Sequence, residues 1–372
     1  MRVASLLFLT ASAFAETLTL HTAQGTSCLD GSVAGYYYGS TSPSSTKWVV
    51  FFEGGGACYS QADCAARSKT ALGSSKSWPP TFSQDDNLLS SDPAVNPEYF
   101  NAHHVYIPYC TGDAHSGTRP GALNSTWPFF FSGHLNVGVI VHALITTHDT
   151  PSLSAADTLL VSGSSAGGIG AFLNVDYIAS LLPATVSVRA APQGGWFYPP
   201  VTLFAYWAAG KDVPVWQVFG FVVSTLYAAY TLPACVQAHN ETYCGSVDNY
   251  APFISSPVFV GENLVDSQQV FHELLAPRTS THLPAFKSYY RKQMNASLYE
   301  KVVPRAGWGV WAPGCFDHTA DIKLQDPSIL NGTTIDGISY RDALSQWING
   351  NKTIFIIDSC TGQVPCNPTC RP

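Results

Sequence analysis

The chain has 372 residues, of which 46% are hydrophobic and 12% charged. That is enough apolar side chain for a large core, and it excludes wholesale disorder. A formal net charge of −7 without long runs of either sign argues against a nucleic-acid partner. Ten cysteines against two methionines point to an oxidising compartment.

At the N-terminus, Arg2 precedes the uncharged apolar stretch Ala4 to Phe14, and Ala13-Phe14-Ala15 has small-x-small form. The pattern predicts a secretory signal peptide over residues 1–15, with the mature, secreted chain starting at Glu16. The stretch is too short to span a bilayer as a helix. Ser40–Thr46 and Gly73–Ser83 read as loops. Between them Trp48–Phe52 reads as a buried strand running into Glu53-Gly54-Gly55-Gly56-Ala57-Cys58. His104–Pro108 and Leu159–Val161 are further strands, and Gly168–Leu182 has a helical pattern. Val213–Leu232 is apolar but interrupted by Pro214, Gln217, Ser224 and Thr225, which favours a buried helix or lid over a membrane span. Strands follow at Val258–Val260, Val310–Ala312 and Thr353–Ile357, with helical patterns at Asp266–Leu275 and Tyr340–Ile348. Strands alternating with helices predict an α/β fold, a mainly parallel sheet covered on both faces. Residues 16–372 read as one domain with large insertions.

An even number of cysteines in a secreted chain reads as a disulfide framework, whose connectivity sequence alone does not set. The residues are Cys28, Cys58, Cys64, Cys110, Cys235, Cys244, Cys315, Cys360, Cys366 and Cys370. Short loops allow Cys58/Cys64, Cys235/Cys244 and Cys366/Cys370 as local pairs. The tail lacks the Cys-x2-Cys spacing of a zinc knuckle. His103, His104, Asp113 and His115 match no ligand spacing either, so neither metal nor cofactor is expected. N-x-[ST] sequons at Asn124, Asn240, Asn295, Asn331 and Asn351 mark candidate glycosylation sites, and Pro368 excludes Asn367.

The chemistry centres on Gly163-Ser164-Ser165-Ala166-Gly167, a G-x-S-x-G placed between an apolar run and a helix. That is the context of a nucleophile elbow, which lifts Ser165 clear of the sheet and aims a helix N-terminus at the reaction centre. A serine hydroxyl needs a base, and folds with this elbow supply acid and base later in the chain. Of His239, His272, His282 and His318, only His318 follows an apolar run at a strand-to-loop exit, and it is the expected base. Asp266 is the expected acid, with Glu262, Asp248 and Asp212 as competitors; an N-cap role would also account for an Asp there. Consecutive glycines after the first strand let backbone N–H groups approach a substrate. Gly55 or Gly56, with Ala166, would bind the oxyanion. A phosphate cradle is disfavoured because the Lys-Ser/Thr ending of a P-loop is absent.

Taken together, these segments resemble the pectin acetylesterase/Notum family of secreted serine carboxylesterases. The resemblance runs from Cys28-Leu29-Asp30-Gly31-Ser32 through the Glu53–Cys58 loop, Ile107-Pro108-Tyr109-Cys110 and the elbow to Phe172-Leu173-Asn174-Val175-Asp176. It continues in Ser256-Pro257-Val258-Phe259-Val260 with Asp266, in Ala312-Pro313-Gly314-Cys315-Phe316-Asp317-His318, and in Asp358-Ser359-Cys360 with Cys366-Asn367-Pro368-Thr369-Cys370. It implies an α/β-hydrolase fold and acyl-enzyme hydrolysis without a cofactor. The family's nucleophile, acid and base fall on Ser165, Asp266 and His318, and its oxyanion donors on Gly55, Gly56 and Ala166. Leu173-Asn174-Val175-Asp176, Gly195-Trp196-Phe197 and the cysteine tail lean toward the Notum branch, whose enzymes remove palmitoleate from a serine of Wnt proteins. Gly56-Ala57 depart from it, since that branch carries bulky aromatics there and the pectin branch usually a Trp at Ala57.

The expected substrate is thus an O-acylated secreted protein, with an acetylated polysaccharide as the alternative. A catalytically inactive binding protein on the same fold is a different class, and a serine peptidase would share the triad.

Overall fold

The computed structural model describes residues 16–83, 87–147, 150–197, 225–273, 278–279, 281, 283–324, 332–350 and 353–371. The expected signal peptide, and residues 213–224 of the apolar stretch, lie outside the described residues.

Strands β1 (Thr17–Thr22), β2 (Gly35–Ser40), β3 (Lys47–Phe52), β4 (Thr81–Ser83) and β5 (His103–Ile107) come first. Then follow β6 (Thr158–Ser164), β7 (Ser187–Gln193), β8 (Phe259–Gly261), β9 (Val265–Asp266), β10 (Gly309–Ala312), β11 (Phe316–Asp317), β12 (Thr334–Ile335), β13 (Ile338–Ser339) and β14 (Phe355–Ile357). A 10-stranded sheet has the order β14-β10-β8-β7-β6-β3-β5-β2-β1-β4. From β14 to β5 the pairing is parallel, and β2, β1 and β4 add an antiparallel flank. This is the α/β-hydrolase arrangement, a mainly parallel sheet flanked by helices.

The central strands are continuous apolar runs because both of their faces are covered. After the short helix α1 (Gln61–Arg67), two longer helices cover one face: along β3, Val50 and Phe52 join a core that includes Val137, Ile140 and Val141 of α2 (Gly133–Thr146) and Phe172 and Val175 of α3 (Ala166–Ser180). Val49 and Phe51, pointing the other way, pack in a second core with Tyr340, Leu344 and Trp347 of the helix Tyr340–Gly350. Alternation along one strand therefore feeds both layers.

The expected strands fall on β3, β5, β6, β8, β10 and β14. Two segments differ. The expected loop Gly73–Ser83 ends in the edge strand β4, anchored by Phe82, whose ring stacks on Tyr106 at 4.4 Å. The helix expected over Asp266–Leu275 starts one residue later: Asp266 ends β9, residues 267–273 are helical with a wide turn at Gln269–Glu273, and residues 274–277 lie outside the described residues. Asp266 pairs in register with Asp317 of β11, and that ladder holds it extended. β7 escaped the sequence reading because Arg189 and Pro192 interrupt its apolar character; Arg189 donates to the Ile348 carbonyl at 2.9 Å.

Five disulfides join Cys28–Cys110, Cys58–Cys64, Cys235–Cys244, Cys315–Cys370 and Cys360–Cys366, leaving no free cysteine. The local pair Cys366/Cys370 is therefore incorrect. The tail folds back so that Cys366 meets Cys360 beside Gly314, while Cys370 reaches Cys315. A Cβ on Gly314 would stand 2.3 Å from the Cys360 sulfur, so only glycine fits beneath this bridge. Among the described residues no helix is long and apolar enough to cross a membrane.

Candidate active site

β6 ends at Ser164 and α3 begins at Ala166, with Ser165 in the turn at φ 60° and ψ −121°. Positive φ is strained for a residue with a Cβ, and the surroundings enforce it here. Its N–H donates to the Gln193 carbonyl of β7 at 2.8 Å. The flanking glycines are required by contact: a Cβ on Gly167 would lie 2.0 Å from the Phe52 carbonyl oxygen, and one on Gly163 2.3 Å from that of Gly167.

The acid and base candidates come from the small parallel ladder β9–β11, Asp266 as its last residue and His318 just after it. His318 Nδ1 lies 2.5 Å from Asp266 Oδ2, and Asp266 is fully buried. Asp266 Oδ1 accepts the Gln269 N–H at 2.8 Å, so the capping role and the histidine contact coexist on one carboxylate. The imidazole sits beside the elbow. Its Cε1 is 3.6 Å from where a Cβ on Gly194 would stand, next to the Gln193 that holds Ser165. The Phe197 ring meets it edge-on at 6.1 Å.

The Gly-rich loop after β3 is braced from beneath. The Glu53 carboxylate accepts the Tyr109 N–H at 2.7 Å, and the Glu53 carbonyl accepts from His115 Nε2 at 2.9 Å. Burial pushes the Glu53 carboxyl up and the His115 imidazole down to about 4, so His115 is a neutral donor. Arg67 donates from Nη2 to the Gly55 carbonyl at 2.8 Å. In a planar trans peptide this turns the Gly56 N–H to the opposite side. Gly55 and Gly56 adopt φ of 144° and 70°, which suits glycine. Nothing in the sequence pattern singled out Arg67, because its partner is a backbone carbonyl.

A cavity of about 720 Å³, part of it open to solvent, lies between the elbow and the Gly-rich loop. Ser165, Ala166 and Gly56 line it, Gly55 does not, and its apolar wall includes Ile169, Leu173 and Phe197. Ala166 opens α3, where the first N–H groups have no intrahelical acceptor.

The competing candidates fall elsewhere. His239 ends a short helix and stacks on Tyr243 at 4.1 Å, His272 is exposed, and His282 and Asp212 lie outside the described residues. Asp248 Oδ1 accepts from the Ser297 hydroxyl. Glu262 is fully buried next to Asp266 and accepts the Trp196 N–H at 2.8 Å. His103 is taken up by Tyr38 and the Ser45 carbonyl, His104 by Glu16 and the Tyr99 carbonyl, and Asp113 by Thr111 and the Gly133 N–H. Among the described residues no group of His, Cys, Asp and Glu could hold a metal ion. Asn124 and Asn240 are exposed, whereas Asn295 lies within the helix Leu283–Lys301 with Oδ1 enclosed; Asn331 and Asn351 lie outside the described residues.

A family model described as Pectinacetylesterase matches residues 10–371. The palmitoleoyl-protein carboxylesterase NOTUM of Mus musculus is 40% identical over 390 residues, covering 95% of this chain and 72% of that one. Pectin acetylesterase 5 of Arabidopsis thaliana is 27% identical over 369 residues, covering 93% and 82%. The solved structure of the Wnt deacylase Notum from Drosophila superposes with a TM-score of 0.83 at 26% identity, covering 96% of this chain and all of that one.

Proposed function

Because the chain belongs to the pectinacetylesterase family of carboxylic ester hydrolases, we propose that it is a secreted serine esterase. In this reading it removes a fatty acyl group from a hydroxyl of a secreted protein through an acyl-enzyme. Residues 1–15 act as the signal peptide and residues 16–372 as the catalytic unit; the five disulfides suit an extracellular protein.

His318 Nε2 takes the Ser165 proton as Oγ attacks the ester carbonyl. Negative charge on the carbonyl oxygen is met by the N–H groups of Ala166 and Gly56, with the loop shape set by Gly55. Collapse of the tetrahedral adduct breaks the bond to the alcohol, which leaves with the proton from His318. A water, deprotonated by the same imidazole, then releases the fatty acid and restores Ser165. Asp266 holds the imidazole with Nδ1–H toward itself and offsets its transient positive charge.

The observation that supports the acyl specificity is the largely apolar cavity opening on Ser165. Each buried CH₂ contributes about 0.8 kcal/mol, so going from an acetyl to an octanoyl ester raises kcat/KM by up to about three and a half decades. The test is a series of p-nitrophenyl esters of rising chain length, run beside acetylated pectin. One feature supports the second reading, a polysaccharide deacetylase: Gly56 and Ala57 put little bulk into the cavity wall. A flat or falling chain-length profile with acetate release from pectin would select it.

A further inference from the structure

Four residues before Asp266, the chain buries a second carboxyl group. Glu262 follows β8 and is fully buried. Its N–H donates to the Trp311 carbonyl at 3.2 Å, and its Oε2 accepts the Trp196 N–H at 2.8 Å. Among the described residues its Oε1 has no donor, and Asp266 is the side chain that acts on this carboxyl, by its charge and as a hydrogen-bond partner. Two carboxylates cannot share a dry contact; one keeps a proton and donates it to the other. Asp266 already has both oxygens engaged as acceptors, Oδ1 by the Gln269 N–H and Oδ2 facing His318 Nδ1, which leaves it no free oxygen to carry the shared proton. The proton therefore belongs on Glu262.

We propose that Glu262 is a positioning residue of the hydrolytic site, a neutral carboxylic acid that donates a hydrogen bond to Asp266 and fixes the carboxylate facing His318. The proposal rests on the Ser165–His318–Asp266 reading. Burial and the Asp266 charge both push the Glu262 carboxyl well above its usual range. The other titratable groups reach it indirectly. His318 acts through Asp266, Tyr290 through Gln269 and the Trp196 carbonyl, and Asp248 through Ser297 and the Trp196 indole. Each is neutral or anionic while His318 is neutral. A donated hydrogen bond draws charge from Asp266, so Glu262 also lowers the proton affinity of the imidazole.

The test uses the purified mature enzyme and its Glu262→Leu and Glu262→Gln variants. Glu262→Leu should lower kcat by about ten- to a hundredfold and move the acid limb of the rate profile to higher pH. Glu262→Gln should rescue most of that loss and return the limb, since its amide N–H donates to Asp266 and its oxygen accepts from Trp196. If Glu262 were an anion, Glu262→Gln would instead move the acid limb down by about a pH unit, which overturns the proposal. So would a Glu262→Leu enzyme with unchanged kcat and acid limb. Should Glu262→Leu not fold, infrared difference spectroscopy of the parent against Glu262→Gln decides. A protonated-carboxyl band at neutral pH, lost in the variant, supports the proposal, and its absence overturns it. Fluorophosphonate labelling of Ser165 in the same samples separates failure of this proposal from failure of the esterase reading.

Discussion

Asp266 Oδ2 lies 2.5 Å from His318 Nδ1, and a two-residue parallel ladder, Val265–Asp266 on Phe316–Asp317, sets that distance. The pair is thus positioned by backbone, not by long flexible side chains. Asp266→Asn keeps a capping oxygen for the Gln269 N–H but removes the anion that orients the ring. We expect folding to persist and kcat to fall by about four decades. Asp266→Ala loses the cap as well and costs about 1 kcal/mol of stability in urea unfolding. Normal turnover by the Asn variant would remove Asp266 from the relay.

Arg67 holds the Gly55 carbonyl and thereby the direction of the Gly56 N–H. Arg67→Met should free that peptide to rotate and lower kcat by about ten- to a hundredfold with little change in KM, since the interaction acts on the developing oxyanion. A variant affected in KM alone would assign Arg67 to substrate binding.

His115 gives the fold an acid-sensitive point. Its imidazole, pushed down to about 4 by burial, binds its proton more weakly folded than unfolded. Its contribution is fully present above the ordinary histidine value near 6.5, and is lost as pH falls from there toward 4. Between pH 7 and pH 5 the loss is about 2 kcal/mol. Buried carboxyls such as Glu53 and Asp113, pushed up, act in the opposite sense. The informative quantity is therefore the pH 7 to pH 5 change in unfolding free energy of the parent minus that of His115→Gln. Equal slopes for the two proteins would contradict the account.

Much of this arrangement was legible in the sequence. Gly163 and Gly167 announce the elbow because the contacts they make with the Gly167 and Phe52 carbonyls exclude any side chain. His318 and Asp266 could be chosen because each follows a short apolar run. What escaped were features that leave no local pattern in the sequence. Arg67 binds a backbone oxygen, β7 conceals a central strand behind Arg189 and Pro192, and Glu262 registers as a competing acid until burial places it against Asp266. The pairing Cys315–Cys370 was hidden for the same reason, since a sequence separation of 55 carries no local signal.

That bridge closes a long loop that contains His318, whereas Cys360–Cys366 closes a short one. In the chain-entropy account a loop of the first size contributes about 4 kcal/mol. Cys315→Ser/Cys370→Ser should therefore lower the midpoint of thermal unfolding more than Cys360→Ser/Cys366→Ser. Non-reducing peptide maps should recover Cys315 linked to Cys370, and a Cys366–Cys370 peptide would contradict the structure.

The central claim is that Ser165 is the nucleophile, and covalent labelling tests it most directly. The native protein should take up one fluorophosphonate group, mapped by mass spectrometry to the peptide containing Ser165. Ser165→Ala should take up none and lose at least about four decades of turnover. Undiminished labelling of Ser165→Ala, or an adduct on another residue, would contradict the account.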